Sequence, residues 1–80
     1  MPTVLRRNGF SVRMYFNDHG PPHVHVVRDR GEAQIALAPV TLLSVQGMKL
    51  AEASKARQVV AENRDFLLRK WVELHGLSIL

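Results

Sequence analysis

The sequence predicts an α+β fold, an antiparallel meander of about four short strands with one long C-terminal helix packed on one sheet face. Three observations point to it. Apolar residues alternate at a period of two through residues 3–38. Tight-turn signals divide that stretch. From Lys49 to His75 the apolar spacing lengthens to three- and four-residue steps, the period of a helix with one buried stripe.

Each element follows in order. Asn8-Gly9 is the strongest short hairpin signal, because both residues tolerate the positive φ of a type I′ turn. It separates a strand at Thr3–Arg7 from one at Phe10–Phe16. In the second, Phe10, Val12, Met14 and Phe16 point one way, and Ser11, Arg13 and Tyr15 the other. A loop at Asn17–Pro22 leads into "HVHVVR", where Val24 and Val26 share one face and His23 and His25 the opposite one. Asp29-Arg30-Gly31 reads as a turn whose glycine takes the left-handed position. "EAQIALA" then sets Ala33, Ile35 and Leu37 against Glu32 and Gln34. Pro39 ends the fourth strand, and the connector 39–48 is apolar enough to hold a short extra strand. One helix is expected over residues 49–75, with a break near Asn63 as the alternative. Asp65–Arg69 and Arg69–Glu73 are expected to pair on its wet side, and Gly76 is a natural stop. The closing "LSIL" could dock on the sheet or on a second copy of the chain.

The chain of 80 residues suits a single domain spanning 1–80, near the size below which a lone core needs staples. It has no cysteine, which excludes a disulfide scaffold and a thiolate zinc site; any metal must sit on His and carboxylate ligands. Hydrophobic content of 46% argues against disorder. No apolar run is long enough to span a bilayer and the first residues lack a signal-peptide pattern, so a cytoplasmic location and no membrane partner are expected. The net charge of +4 favours an anionic partner, with nucleic acid first.

A helix with one apolar stripe covers one sheet face. That face should carry Leu5, Phe10, Val12, Met14, Val24, Val26, Ala33, Ile35 and Leu37. Across the first turn, Leu5 falls opposite Val12 and Arg6 opposite Ser11; across the second connection, Tyr15 falls opposite His23 or His25, with Arg13 next along. The other face therefore carries Arg6, Arg13, Tyr15, His23, His25 and Gln34, a basic and titratable surface. A one-residue slip would turn the valines outward, so the parity is well determined.

"NDHGPPHVHV" holds three of the four histidines. Exposed strand histidines are common, and Pro21-Pro22 also serves simply to hold the chain extended. Two histidines at i and i+2 of a strand project the same way and can converge on one ion, with His19 or Asp18 as a third ligand. No metal cofactor is favoured at this level, although His19, His23 and His25 are the divalent-ion candidates. The favoured chemistry needs no ion. His23 and His25 act as acid and base in ribonuclease-like phosphodiester cleavage, Tyr15 orients the substrate and Asp18 tunes an imidazole. Arg6, Arg13 and His19 bind phosphate or substrate. Trp71 and Phe66 read as core, and His75 as a partner of the helix dipole.

The segments "MPTVLRRNGF", "DHGPPHVHV", "RGEAQIAL" and "ENRDFLLRKWVELHG" together resemble the bacterial family called domain of unknown function 4160. The most specific parts are Asp18, His19, Pro21, Pro22, His23 and His25, then Glu62, Asn63, Arg64, Leu67, Leu68 and Trp71. The resemblance implies a toxin-like role in a two-gene toxin–antitoxin pair. It also implies a small protein partner of the family called domain of unknown function 2442, which masks the toxin. It brings no settled chemistry. The alternatives are a non-enzymatic binding or regulatory module on the antitoxin side and a His-based metal-dependent hydrolase. A homodimer is also compatible with the sequence. Met48-Lys49 stand where a serine-type cap would open the helix.

Overall fold

The computed structural model describes residues 2–76. The fold is α+β, with a sheet of five antiparallel strands in the order β1-β2-β3-β4-β5 and two helices. The strands are β1 (Thr3–Arg7), β2 (Phe10–Arg13), β3 (His23–Arg28), β4 (Gly31–Leu37) and β5 (Val40–Gln46); the helices are α1 (Leu50–Glu62) and α2 (Arg64–His75). The tail 77–80, whose docking is left open by the sequence, lies outside the described residues. Among the described residues no helix is long and apolar enough to cross a membrane.

The meander is held by its turns and its pleat. Asn8 and Gly9 both take positive φ (53° and 82°), as the first hairpin requires. Leu5 pairs with Val12 and Arg6 with Ser11, the expected register. Val12, Val24, Val26, Ala33, Ile35 and Leu37 are fully buried, with Phe10 and Met14 beside them. Leu5 packs against this core while remaining partly exposed. Ala53, Ala56, Val59 and Val60 of α1 and Leu67 and Trp71 of α2 close it from above. The alanines matter by their size, because they let α1 lie close on the sheet.

Five expectations need correction. The sheet has five strands rather than four, because the connector after Pro39 continues the meander as β5, paired along β4 from Leu37↔Val40 to Glu32↔Gln46. β2 stops at Arg13, because the chain turns at Tyr15, whose carbonyl accepts the Asp18 N–H at 3.0 Å. Met14 is still buried, but Phe16 is 79% exposed instead of in the core. The helix breaks at Asn63, where Nδ2 donates to the Val59 carbonyl at 2.8 Å and the backbone N–H to Val60 at 3.1 Å. These bonds close α1, and the Asn63 carbonyl accepts the Leu67 N–H to begin α2. Finally, positive φ in the β3–β4 turn belongs to Asp29 (53°), not Gly31. Gly31 is required for closeness: a Cβ there would stand 2.6 Å from the Gly47 carbonyl oxygen. On the wet face of α2, the ion pairs among the described residues are Arg64–Asp65 and Lys70–Glu73 in place of the two expected through Arg69.

Ile35→Ala should cost about 2–5 kcal/mol in denaturant unfolding, as a fully buried large-to-small change does. Leu43→Ala, at a residue 54% exposed, should stay within about 0.5 kcal/mol. Equal losses would contradict this placement of the core. Gly31→Ala should lower the unfolding midpoint by forcing backbone to move, at about 1–3 kcal/mol; an unchanged midpoint would show that the β4 and β5 ends separate freely.

Candidate functional site

The pleat of β3 turns Val24 and Val26 into the core and leaves His23 and His25 on the other face. Cross-strand pairing sets their neighbours. Arg13 of β2 and Gln34 of β4 flank His25, and Glu32 lies two pairs further along on the same face, opposite Val27. The loop after Met14 then folds back over this face. Two backbone-anchored bonds fix its turn: the Asp18 N–H to the Tyr15 carbonyl at 3.0 Å, and the Tyr15 N–H to Asp18 Oδ2 at 3.2 Å. The second bond holds the Asp18 carboxylate over the histidines.

His25 is clamped between two carboxylates. Its Nδ1 lies 2.9 Å from Glu32 Oε2 and its Nε2 lies 3.1 Å from Asp18 Oδ2. Carboxylate oxygens accept, so both contacts are hydrogen bonds together only when both ring nitrogens carry protons. A metal ion at Nε2 would serve Asp18 in place of that proton. His23 is oriented differently. Its Nδ1 lies 3.0 Å from the Pro21 carbonyl, which can only accept, so Nδ1 holds a hydrogen and Nε2 is the nitrogen directed at the site. That Nε2 is 3.7 Å from Asp18 Oδ1.

Among the described residues, Asp18, His23 and His25 form the one group of three whose potential metal-ligating atoms lie within 4.8 Å of one another. Ligands at about 2.0–2.1 Å from a tetrahedral zinc ion stand about 3.3 Å apart, so a small contraction suffices. Both histidines are held at the far ring nitrogen, His25 by Glu32 and His23 by Pro21, and Asp18 is anchored by the Tyr15 N–H at Oδ2. Such outer contacts fix the tautomer and direction of metal-binding histidines. The donor set therefore fits a divalent ion.

Aromatic rings wall the site. Tyr15 meets His25 edge-on at 4.8 Å between centroids, and Trp71 meets His23 at 5.4 Å. Trp71 stacks on His75 at 3.8 Å, and His75 faces the carbonyls of Trp71 and Tyr15 at 3.2 and 3.1 Å. His75 thus ties α2 to the loop that carries Asp18. Between that loop and the end of α2 lies a cleft of about 450 Å³, with Asp18 in its wall.

The structure brings together Tyr15, Asp18, His23 and His25 of the expected site. Arg13 adjoins them, and its Nε is buried with no hydrogen-bond partner among the described residues. Arg6 is further off on the same face and bonds Ser11 Oγ at 3.3 Å. His19 is exposed on the cleft wall and does not join the converging group; Asp18 takes the third place. Three residues were missed. Glu32 had a readable signal, since a two-residue loop at Asp29-Arg30 sets Val27 opposite Glu32 and puts Glu32 diagonal to His25. Trp71 and His75 had none in the periodicity, because their contacts with β3 and the loop are tertiary.

Comparisons with curated proteins and with solved structures find no match. A family model does match, over residues 9–72, and that span includes Tyr15, Asp18, His23, His25, Glu32 and Trp71. Its description is "Domain of unknown function (DUF4160)", and the chain belongs to that family.

Proposed function

We propose that the protein is a metal-dependent hydrolase of nucleic-acid phosphodiesters, with the ion held by Asp18, His23 and His25. One observation carries this reading: three ligand atoms converge within 4.8 Å while the far nitrogen of each histidine is already engaged and the Tyr15 N–H anchors the Asp18 carboxylate. Bound by three protein ligands, an ion would leave a position for water, lower that water's pKa and polarise a phosphoryl oxygen. The chain's own groups do the rest. Glu32 holds the His25 ring by Nδ1 and keeps Nε2 directed at the site. Arg13, directly across from His25, supplies a guanidinium for a phosphate oxygen. His19 meets the substrate from the exposed loop. The net charge of +4 suits a polyanionic substrate. The biological setting proposed is the toxin-like module implied by the family resemblance, with a small partner protein masking the site.

The metal-free acid–base reading keeps one specific support, the His25–Asp18 contact at 3.1 Å. In that form both nitrogens of His25 are engaged by carboxylates, so His23 Nε2 alone is left to move a substrate proton. The geometry therefore favours the ion over a pair of free imidazoles.

Untagged protein dialysed against zinc should retain about one equivalent by elemental analysis, and Asp18→Asn or His23→Ala should lose it. Glu32→Gln, which keeps every ligand, should weaken zinc binding by about 10–100-fold. Wild-type protein holding far less than one equivalent would sink the metal reading. Expressed alone in bacteria, the chain should slow growth; His23→Ala should relieve this, as should co-expression of the small partner. No growth defect from the wild type would favour a non-enzymatic binding module, and full toxicity of both His23→Ala and Asp18→Asn would place the activity elsewhere.

A further inference from the structure

Phe16 stands out of the fold. Of the three phenylalanines, Phe10 is buried and Phe66 packs against the core, whereas Phe16 is 79% exposed on the loop that carries Asp18. It lies at the cleft between this loop and the last turns of α2. We infer that this cleft is a subsite for one unpaired base of a single-stranded nucleic acid, stacked on Phe16, with its neighbouring phosphate directed toward the ion site and Arg13. The inference rests on the phosphodiester reading and names the form of substrate that the site takes.

Four features support it. The cleft and the proposed ion site share Asp18, so a ligand in one reaches the other. The walls have the mixed character of a base. Phe16 and Leu74 offer apolar surfaces over the buried Trp71 ring, while Asn17 and His19 offer hydrogen-bonding groups for its edge. The volume of about 450 Å³ falls in the range of small-ligand pockets and suits one nucleotide, not a paired helix. The back wall is rigid, because Trp71 stacks on His75 at 3.8 Å and His75 faces the Tyr15 carbonyl of the loop at 3.1 Å. Stacking of a base on an exposed aromatic ring is one common way in which single strands are held.

Trp71 is the only tryptophan in the chain and lines the cleft, so its fluorescence is a built-in reporter. The experiment uses the full chain in EDTA, so that no metal-dependent cleavage occurs, and titrates it with labelled oligo(A), free or annealed to oligo(U). Binding is followed by label anisotropy and by Trp71 emission. The free strand should bind and change the emission, and the annealed strand should bind more weakly. Phe16→Ala should weaken the free strand roughly tenfold and leave zinc uptake unchanged. Equal binding by Phe16→Ala and wild type, equal binding of the two strand forms, or no strand binding at all would overturn the subsite. The last outcome would leave the cleft to a protein partner. If zinc uptake fails in the wild type while Phe16-dependent binding persists, the ion reading falls and the base subsite stands.

Discussion

Strand β3 serves the core and the site at once, and the two-residue pleat keeps the roles apart. Val24 and Val26 are fully buried beneath the helices, while His23 and His25 project from the other side of the same six residues. Slipping the strand by one residue would put two imidazoles into an apolar core and two valines among carboxylates. Both faces would lose together. The geometry of the site is therefore coupled to the stability of the fold. Everything else at the site is positioned against this strand: Arg13 and Gln34 by register, Glu32 by the short β3–β4 turn, Asp18 by a loop that returns over the strand, and Trp71 by α2.

Charge balance gives the site its chemical character. Asp18 and Glu32 face the two nitrogens of one nearly buried ring, and two carboxylates in that position need a cation between them. A doubly protonated His25 meets the need, and so does a metal ion at Nε2 with the Nδ1 hydrogen still on Glu32. The second arrangement also uses His23, whose Nε2 faces an Asp18 carboxylate oxygen at 3.7 Å. Glu32 is the more exposed of the two carboxylates, so its main contribution is direction rather than net attraction.

What was legible in the sequence was what is local. Alternation placed the core residues of β2, β3 and β4, and Asn8-Gly9 set the Leu5–Val12 register. The same parity put the histidines beside Arg13. β5 was hidden by its own irregularity: Leu43 is an extra residue between the Gln34↔Ser44 and Ile35↔Leu42 pairs, and this bulge interrupts the alternation. Phe16 kept the pattern of β2 but lies beyond the turn begun at Tyr15, so its apolar side chain is free for another purpose. The Asn63 break was visible only as an alternative, because the buried stripe continues on both sides of it. The approach of Trp71 and His75 to the site depends on the angle between the helices, which no periodicity encodes.

The central claim is that one divalent ion is held by Asp18, His23 and His25 with Glu32 steering His25 from behind. Anomalous diffraction from crystals grown with zinc tests it most directly. The expected map shows a single strong peak about 2.0–2.2 Å from His23 Nε2, His25 Nε2 and an Asp18 oxygen, with His25 Nδ1 still bonded to Glu32. A peak elsewhere on the protein, or none while His25 stays bonded to both carboxylates, would contradict it.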